Sequence, residues 1–577
     1  MHISSPLLVL LTLARSALSQ TTPTCPLLGP VFPPVRKNLG DSRAIKDAVV
    51  QLTGLMDEVV EAGTNTTFYV QAFSGTDKLF HYKYVPESTK KSLTSGSLNE
   101  NTVFRIGSVS KLLTVYTLLA EVGIKRLNDP VTQWVPELAK AVKHRRDPVQ
   151  GTQWDEVTIG QLGSHMSGIG RNFGFGDFSV QLKDLGLSPE SFGLPSLKKQ
   201  DTPACDAAFG KRACTRKEFF KGITSKIALP VTSTSNTPIY SNMAYQILAY
   251  ALEAMTNKTF EESFNSALLG PLGLNNTTLE APKDDSNAVI PGNKTISWWD
   301  RTMADASPYG GMFSTPSDLT AIAQSILSSS ILPDHVTRAW LKPVSHTAEL
   351  QASVGMPWEI RRLLLPISPK SNQTRVVDLY TKNGMLGSYS SMLALSPDHD
   401  FGFVISLAGD IAGADLLSLV PSLITQTMIP ALEEASRETA KARFAGKYEN
   451  SHGKIVVGVD DTLSGLVVQN WTRGAVDMLQ TFRDVFNMGY AGLRLYPAGI
   501  ENNGTIRFRG VYENRAVEPV STDLDPWTDL CMSWGGVDAV KYGDIGIDDF
   551  EFKLDNSGHA TGITPRVWRE TLDKVKK

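Results

Sequence analysis

Phe104-Arg105-Ile106-Gly107-Ser108-Val109-Ser110-Lys111-Leu112-Leu113-Thr114 is the stretch on which the reading of this chain turns. An apolar, strand-like start runs into a helical pattern in which Leu112, Val115, Tyr116 and Leu119 recur until Gly123 stops it. Inside it lies Ser-x-x-Lys. Positions i and i+3 share a helix face, so Ser108 Oγ and Lys111 Nζ can meet. A serine at a helix N-terminus also sits among unsatisfied backbone N–H groups at the positive end of the dipole. An amine kept partly neutral by burial or by a second cation can take that serine's proton. The spacing alone is common. Ser88–Lys91, Ser196–Lys199 and Ser451–Lys454 repeat it in polar or Gly/Pro-rich surroundings, where a solvated surface explains them.

Two later segments add to it. Pro238-Ile239-Tyr240-Ser241-Asn242-Met243 leads into a helical pattern through Leu248 and Leu252. A Tyr-x-Asn there can project a phenol and a carboxamide into one cleft, and a phenol flanked by ammonium groups becomes a usable base. Singly, Tyr240 reads as a packed aromatic and Asn242 as an N-cap. Lys382-Asn383-Gly384 ends one strand-like run and precedes Met385-Leu386-Gly387. A lysine there can bind a carboxylate or tune the base, and the glycine admits a substrate close to the backbone. The plain reading is a surface lysine before a hairpin.

Taken in order, Ser-x-x-Lys, Tyr-x-Asn and Lys-x-Gly resemble the serine β-lactamase and penicillin-binding-protein superfamily, in its class C β-lactamase, carboxypeptidase and esterase branch. Trp134-Val135-Pro136, the run Thr158–Gly168 and the run Tyr309–Leu319 are similar to that family too. The resemblance covers residues 45–435. The lead-in Cys25-Pro26-Leu27-Leu28-Gly29-Pro30, with Cys205 and Cys214, resembles secreted fungal members. It implies an α/β (α+β) fold with an antiparallel sheet flanked by helices, and roles for single residues. Ser108 would be the nucleophile, Lys111 its activating partner and Tyr240 the general acid/base. Asn242 would orient the substrate, Lys382 would support the phenolate, and the N–H groups of Ser108 and Met385 would hold the oxyanion. His165 is read as structural. Asn383 departs from the threonine usual in β-lactam-acting relatives, so the expected substrate is an ester, lactone or amide. The acyl group would pass to water or, as the alternative, to another acceptor. A β-lactamase and a non-catalytic binding protein are the lesser readings. Met385 and Leu386, with Phe173, Phe175 and Phe178, hint at an apolar acyl group.

Composition bounds the rest. A net charge of -3 gives no argument for nucleic acid, and 41% hydrophobic with 20% charged residues describes a folded protein. Residues 1–19, with an apolar run from Leu7 to Ala14 and small residues at Ala17 and Ser19, read as a signal peptide, too short to span a bilayer. Secretion, with no remaining membrane span, is the expectation. Sequons at Asn65, Asn257, Asn275, Asn276, Asn293, Asn372, Asn470 and Asn503 fit a glycosylated surface. The four cysteines allow three pairings. Closeness in sequence favours Cys205–Cys214, leaving Cys25–Cys531. Their spacing does not suit zinc, and neither metal nor other cofactor is expected.

The Pro-rich residues 20–44 read as an extended lead-in and 45–436 as the catalytic domain, with a lid-like excursion at 170–215. Residues 440–577, with short alternating runs such as Ile455–Val459 and Ile506–Tyr512, read as a C-terminal all-β domain. Pro421 and Pro430 are expected to kink or divide the helical stretch 415–435. Nothing in the sequence sets an oligomeric state.

Overall fold

A computed structural model describes residues 25–576 except 144–146, 210–211, 226–227, 410–414, 486–490 and 515–532. The signal-peptide expectation and Cys531 lie outside the described residues. Cys25 is itself disulfide-bonded.

In chain order the elements that position the site are α1 (Arg43–Glu61), β1 (Thr66–Ser74), β2 (Lys78–Tyr84), α2 (Ser110–Val122), α3 (Met243–Thr256), β3 (Ser345–His346), β4 (Ala352–Val354), β5 (Glu359–Pro366), β6 (Thr374–Leu386), β7 (Tyr389–Ser396), β8 (Phe401–Gly409) and α4 (Leu416–Phe444). The strands form one antiparallel sheet in the order β2-β1-β8-β7-β6-β5-β4-β3. Its central strands are buried on both faces, and the pleat sorts their side chains between two cores. Phe403, Ile405 and Leu407 of β8 face α1 and α4. Val404, with Leu393 and Leu395 of β7, faces the helical layer that contains α2 and α3. This explains why β7 and β8 read as continuous apolar runs rather than alternating ones. On α1 the buried Ile45, Ala48, Leu52, Met56 and Val59 recur at helical spacing, while α2 is buried all round from Ser110 to Leu119.

The prolines do not divide α4: Pro421 and Pro430 both lie inside one continuous helix. A missing backbone bond costs about 3 kcal/mol, and the buried contacts along the helix outweigh it. By length and composition α4 could cross a bilayer, a stretch the sequence reading passed over. In the fold 61% of its apolar window is buried, as expected of a helix packed between α1 and the sheet.

Past α4 lies a nine-stranded antiparallel sheet in which Gly453–Asp460 also pairs with Leu463–Arg473, closing the strands into a barrel. Closure removes the exposed edges that an open sheet must protect. Its core holds Trp471, Phe508, Phe550 and Phe552, together with Phe444 from the end of α4. The lead-in is more than a spacer, since Val31 and Phe32 are buried in this same cluster. At the Pro366 end of β5, Arg437 of α4 bridges the two parts, donating Nη2 to Ile367 O at 2.9 Å and Nη1 to Asp461 O of the barrel at 3.4 Å. Glu359, at the other end of β5, is about 25 Å away at the usual strand rise.

The excursion after Gly170 carries the Cys205–Cys214 disulfide. Beside it the fully buried Asp206 carboxylate accepts N–H groups of Gly176, Asp177, Ala208 and Phe209 at 2.8–3.1 Å. Those bonds fix the path of a segment that has little regular structure. Its three phenylalanines separate. Phe173, half-buried, packs edge-on against Phe219 and over Gly222 at the helical layer. Phe175 stands edge-on to Trp298 and Tyr309, and the exposed Phe178 pairs with Phe192. Seven of the sequon asparagines are exposed. Asn470 is half-buried on a barrel strand with its side-chain carbonyl buried.

Candidate active site

The nucleophile candidate sits on a single 3-10 turn, Gly107–Val109, that leads directly into α2. Gly107 has φ +50°, and a Cβ there would lie 2.5 Å from Met385 N. From the opposite side, a Cβ on Gly384 would lie 2.1 Å from Ile106 O and 2.7 Å from Ser108 N. Only two glycines facing each other let the end of β6 lie against the turn. Ser110 ties the turn down, donating to Gly107 O at 2.7 Å and accepting from Met312 N at 3.2 Å.

The three motifs converge. Lys111 Nζ donates to Ser108 Oγ at 3.0 Å and also bonds Tyr309 O. Tyr240 Oη donates to the same Ser108 Oγ at 2.8 Å. Lys382 Nζ lies 5.4 Å from the centre of the Tyr240 ring and Lys111 Nζ 5.0 Å. Burial holds the Lys111 ammonium down to about 8, countered in part by Tyr240. Burial alone pushes the Tyr240 phenol up, yet the charges of Lys111 and Lys382 and the Ser108 hydrogen bond outweigh it and bring it to about 8. Two groups matched this closely can exchange a proton at little cost near neutral pH.

Met385 completes the geometry. Asn383 N donates to Glu359 Oε2 at 3.1 Å, along the β6 edge that β5 leaves free beyond Thr381. Residues two apart leave a strand on the same edge, so Met385 N–H points the same way, and Met385 N lies against the Gly107 turn. The Met385 side chain is 53% exposed and forms an apolar wall.

Four supporting features escaped the sequence reading. Glu359 bonds Lys382 Nζ through its carboxylate, so the lysine charge is balanced from within the protein. Asn172 Oδ1 accepts Asn242 Nδ2 at 2.7 Å and orients that carboxamide. Asn242 makes no side-chain cap on α3; Ser241 Oγ accepts Ala244 N instead, at 3.2 Å. Arg171 places its guanidinium 4.7 Å from the Tyr240 ring centre. His165 stacks on Tyr240, its ring 4.5 Å away. Its Nδ1 accepts Ser241 N at 3.1 Å, and burial with nearby Lys111, Lys382 and Arg171 pushes its pKa well below the usual value. A neutral, backbone-anchored ring supports Tyr240 without exchanging protons. Among the described residues no cluster of His, Cys, Asp or Glu is arranged to hold a metal ion.

A family model described as Beta-lactamase matches residues 69–415, more than half of the chain. The chain belongs to the beta-lactamase family. A second model, described as Beta-lactamase-like-like, C-terminal domain, matches residues 436–576, which include the barrel. A Beta-lactamase-like protein of the fungus Arthroderma benhamiae is 28% identical, with 96% of each chain covered. A D-alanyl-D-alanine-carboxypeptidase/endopeptidase of Escherichia coli (strain K12) is 24% identical over 53% of this chain and 71% of its own. Among solved structures, a Beta-lactamase/D-alanine Carboxypeptidase from Yersinia pestis complexed with citrate superimposes with TM-score 0.47 and 18% identity, covering 68% of this chain and 99% of that one.

Proposed function

We propose that this family member is a serine hydrolase that cleaves an ester, lactone or amide through an acyl-Ser108 intermediate. The observation that carries the reading is Ser108 Oγ within hydrogen-bond reach of both Lys111 and Tyr240, on a turn laid against the free edge of β6. The Lys111–Tyr240 pair takes the Ser108 proton as Oγ attacks the carbonyl carbon. The oxyanion forms between the N–H groups of Ser108 and Met385, each donor of this kind being worth about 3 kcal/mol. Tyr240 protonates the departing oxygen or nitrogen as the tetrahedral adduct collapses. Water then enters, gives its proton to Tyr240 and attacks the acyl carbon, and Ser108 recovers its proton on release.

Passing the acyl group to an alcohol or amine uses the same residues and differs only in what enters. Asn383, where a β-lactam carboxylate would be read, and Glu359, which already balances Lys382, both favour a substrate other than a β-lactam. Secretion and glycosylation belong to the proposal as well, supported by the Cys205–Cys214 disulfide and the exposed sequons.

Intact-mass spectrometry after exposure to a fluorophosphonate or a p-nitrophenyl ester tests the reading, with Ser108→Ala run beside the wild type. The expected result is a single adduct that the variant lacks. A folded, oxidised wild type that takes no adduct from any probe would instead make this a binding protein.

A further inference from the structure

Three cations surround the Tyr240 ring, and only one faces solvent. Lys111 and Lys382 are fully buried and engaged, the first with Ser108 Oγ and Tyr309 O, the second with Glu359 and Asn383 O. Arg171 is exposed, and among the described residues its guanidinium carries neither an ion pair nor a hydrogen bond. Its backbone is fixed all the same. Arg171 O accepts Asn242 N at 2.8 Å and Met243 N at 3.3 Å, and the next residue, Asn172, bonds Asn242. The residue is therefore anchored at the Tyr-x-Asn corner, with its guanidinium over the Tyr240 ring.

We infer that Arg171 binds a carboxylate on the leaving group of the substrate, or on the acceptor that takes its place. This deepens the hydrolase reading and rests on it. Tyr240 touches Ser108 Oγ and is the group that meets the departing or entering atom. A guanidinium 4.7 Å from that ring lies beside whatever is attached to that atom. Its planar fork of N–H donors matches a carboxylate in two parallel bonds, which an ammonium cannot reproduce. Lys382, the other cation expected to recognise an anion, is already balanced by Glu359, which leaves Arg171 as the exposed cation at the ring.

Two aryl esters of one acid, with 3-carboxyphenyl and 3-carbamoylphenyl leaving groups, differ there only in charge. The wild type is expected to acylate from the carboxylate ester about tenfold faster, as kcat/KM, and less so in high salt. Arg171→Gln should bring the ratio close to one, and Arg171→Lys should keep part of it. Equal losses for both esters, or an unchanged ratio, would overturn the inference and leave Arg171 as a prop for Tyr240. Calorimetric titration of Ser108→Ala and of Ser108→Ala/Arg171→Gln with 3-hydroxybenzoate and 3-hydroxybenzamide reads the same contact without turnover. Preference for the anion that disappears with Arg171 supports the inference, and equal affinities refute it. Failure of both esters to acylate Ser108 would count against the hydrolase reading alone.

Discussion

The molecule holds two serine-centred hydrogen-bond chains. In the cleft, Ser108 meets Lys111 and Tyr240. Beneath the opposite face of the sheet, Ser396 Oγ lies 2.7 Å from His399 Nδ1, and His399 Nε2 lies 2.9 Å from Glu433 Oε1. On paper the second has the composition of a hydrolytic triad. It is sealed: Ser396, His399 and Glu433 are 0%, 4% and 2% exposed, and Arg375 joins them from β6. The lead-in closes over the group, where Gly29 O accepts Arg375 Nη1 at 3.5 Å. Serine, base and carboxylate in contact therefore do not make a site. The cleft differs in having a solvent-open side, a free strand edge that supplies backbone N–H groups, and a base whose pKa lies near the working pH.

The contrast can be broken by experiment. Tyr240→Phe should lower kcat/KM by about 10³-fold with the fold intact, since proton transfer at this position contributes on the order of 10²–10⁴. In the wild type, acylation should rise with pH until the Lys111–Tyr240 pair has lost its proton, levelling near pH 8, and stopped-flow measurement of the acylation burst checks this. Gly384→Ala should cost about 10² in kcat, because its Cβ pushes β6 off the Ser108 turn and withdraws Met385 N–H from the oxyanion. An unaltered rate would remove Met385 from the mechanism.

In the sealed cluster the effects should fall on stability. Glu433→Ala leaves the buried Arg375 with Asp398 as its remaining carboxylate partner and should destabilise by about 3 kcal/mol, measured by denaturant unfolding, while KM is unchanged. Burial alone raises the Glu433 carboxyl, but Arg375 and His399 outweigh it and hold it at about 2. Its contribution is therefore complete above the ordinary carboxylate range and is lost as pH falls toward 2. Ser396→Ala should cost only about 1 kcal/mol and leave the covalent adduct on Ser108 untouched, the smallest effect and the sharpest test of the contrast.

Much of this was legible in the sequence because the deciding signals are local. Ser108 and Lys111 share one helical turn, Tyr240 and Asn242 one corner, and Lys382 to Met385 one strand end. Glu359 was not legible. It reaches Lys382 from a neighbouring strand, through a register that pairs Glu359 with Thr381, and nothing local marks a glutamate in a strand as part of a site. Arg171 was hidden similarly, since only the fold brings it over Tyr240. The alternating runs announced β structure after α4, whereas closure of the barrel depends on one extra strand pairing. That the prolines would divide α4 was over-read, because a local penalty was weighed without the contacts that offset it.

The burial of Val31 and Phe32 among side chains contributed by residues 440–572 has a temporal side. A ribosome delivers the two ends of this contact hundreds of residues apart. During synthesis the cleft can assemble while its leading strap still has no partner. A chain stopped before Gly446 would keep every motif of the cleft yet present that strap bare, so an inactive truncated product would be reporting on aggregation, not on chemistry.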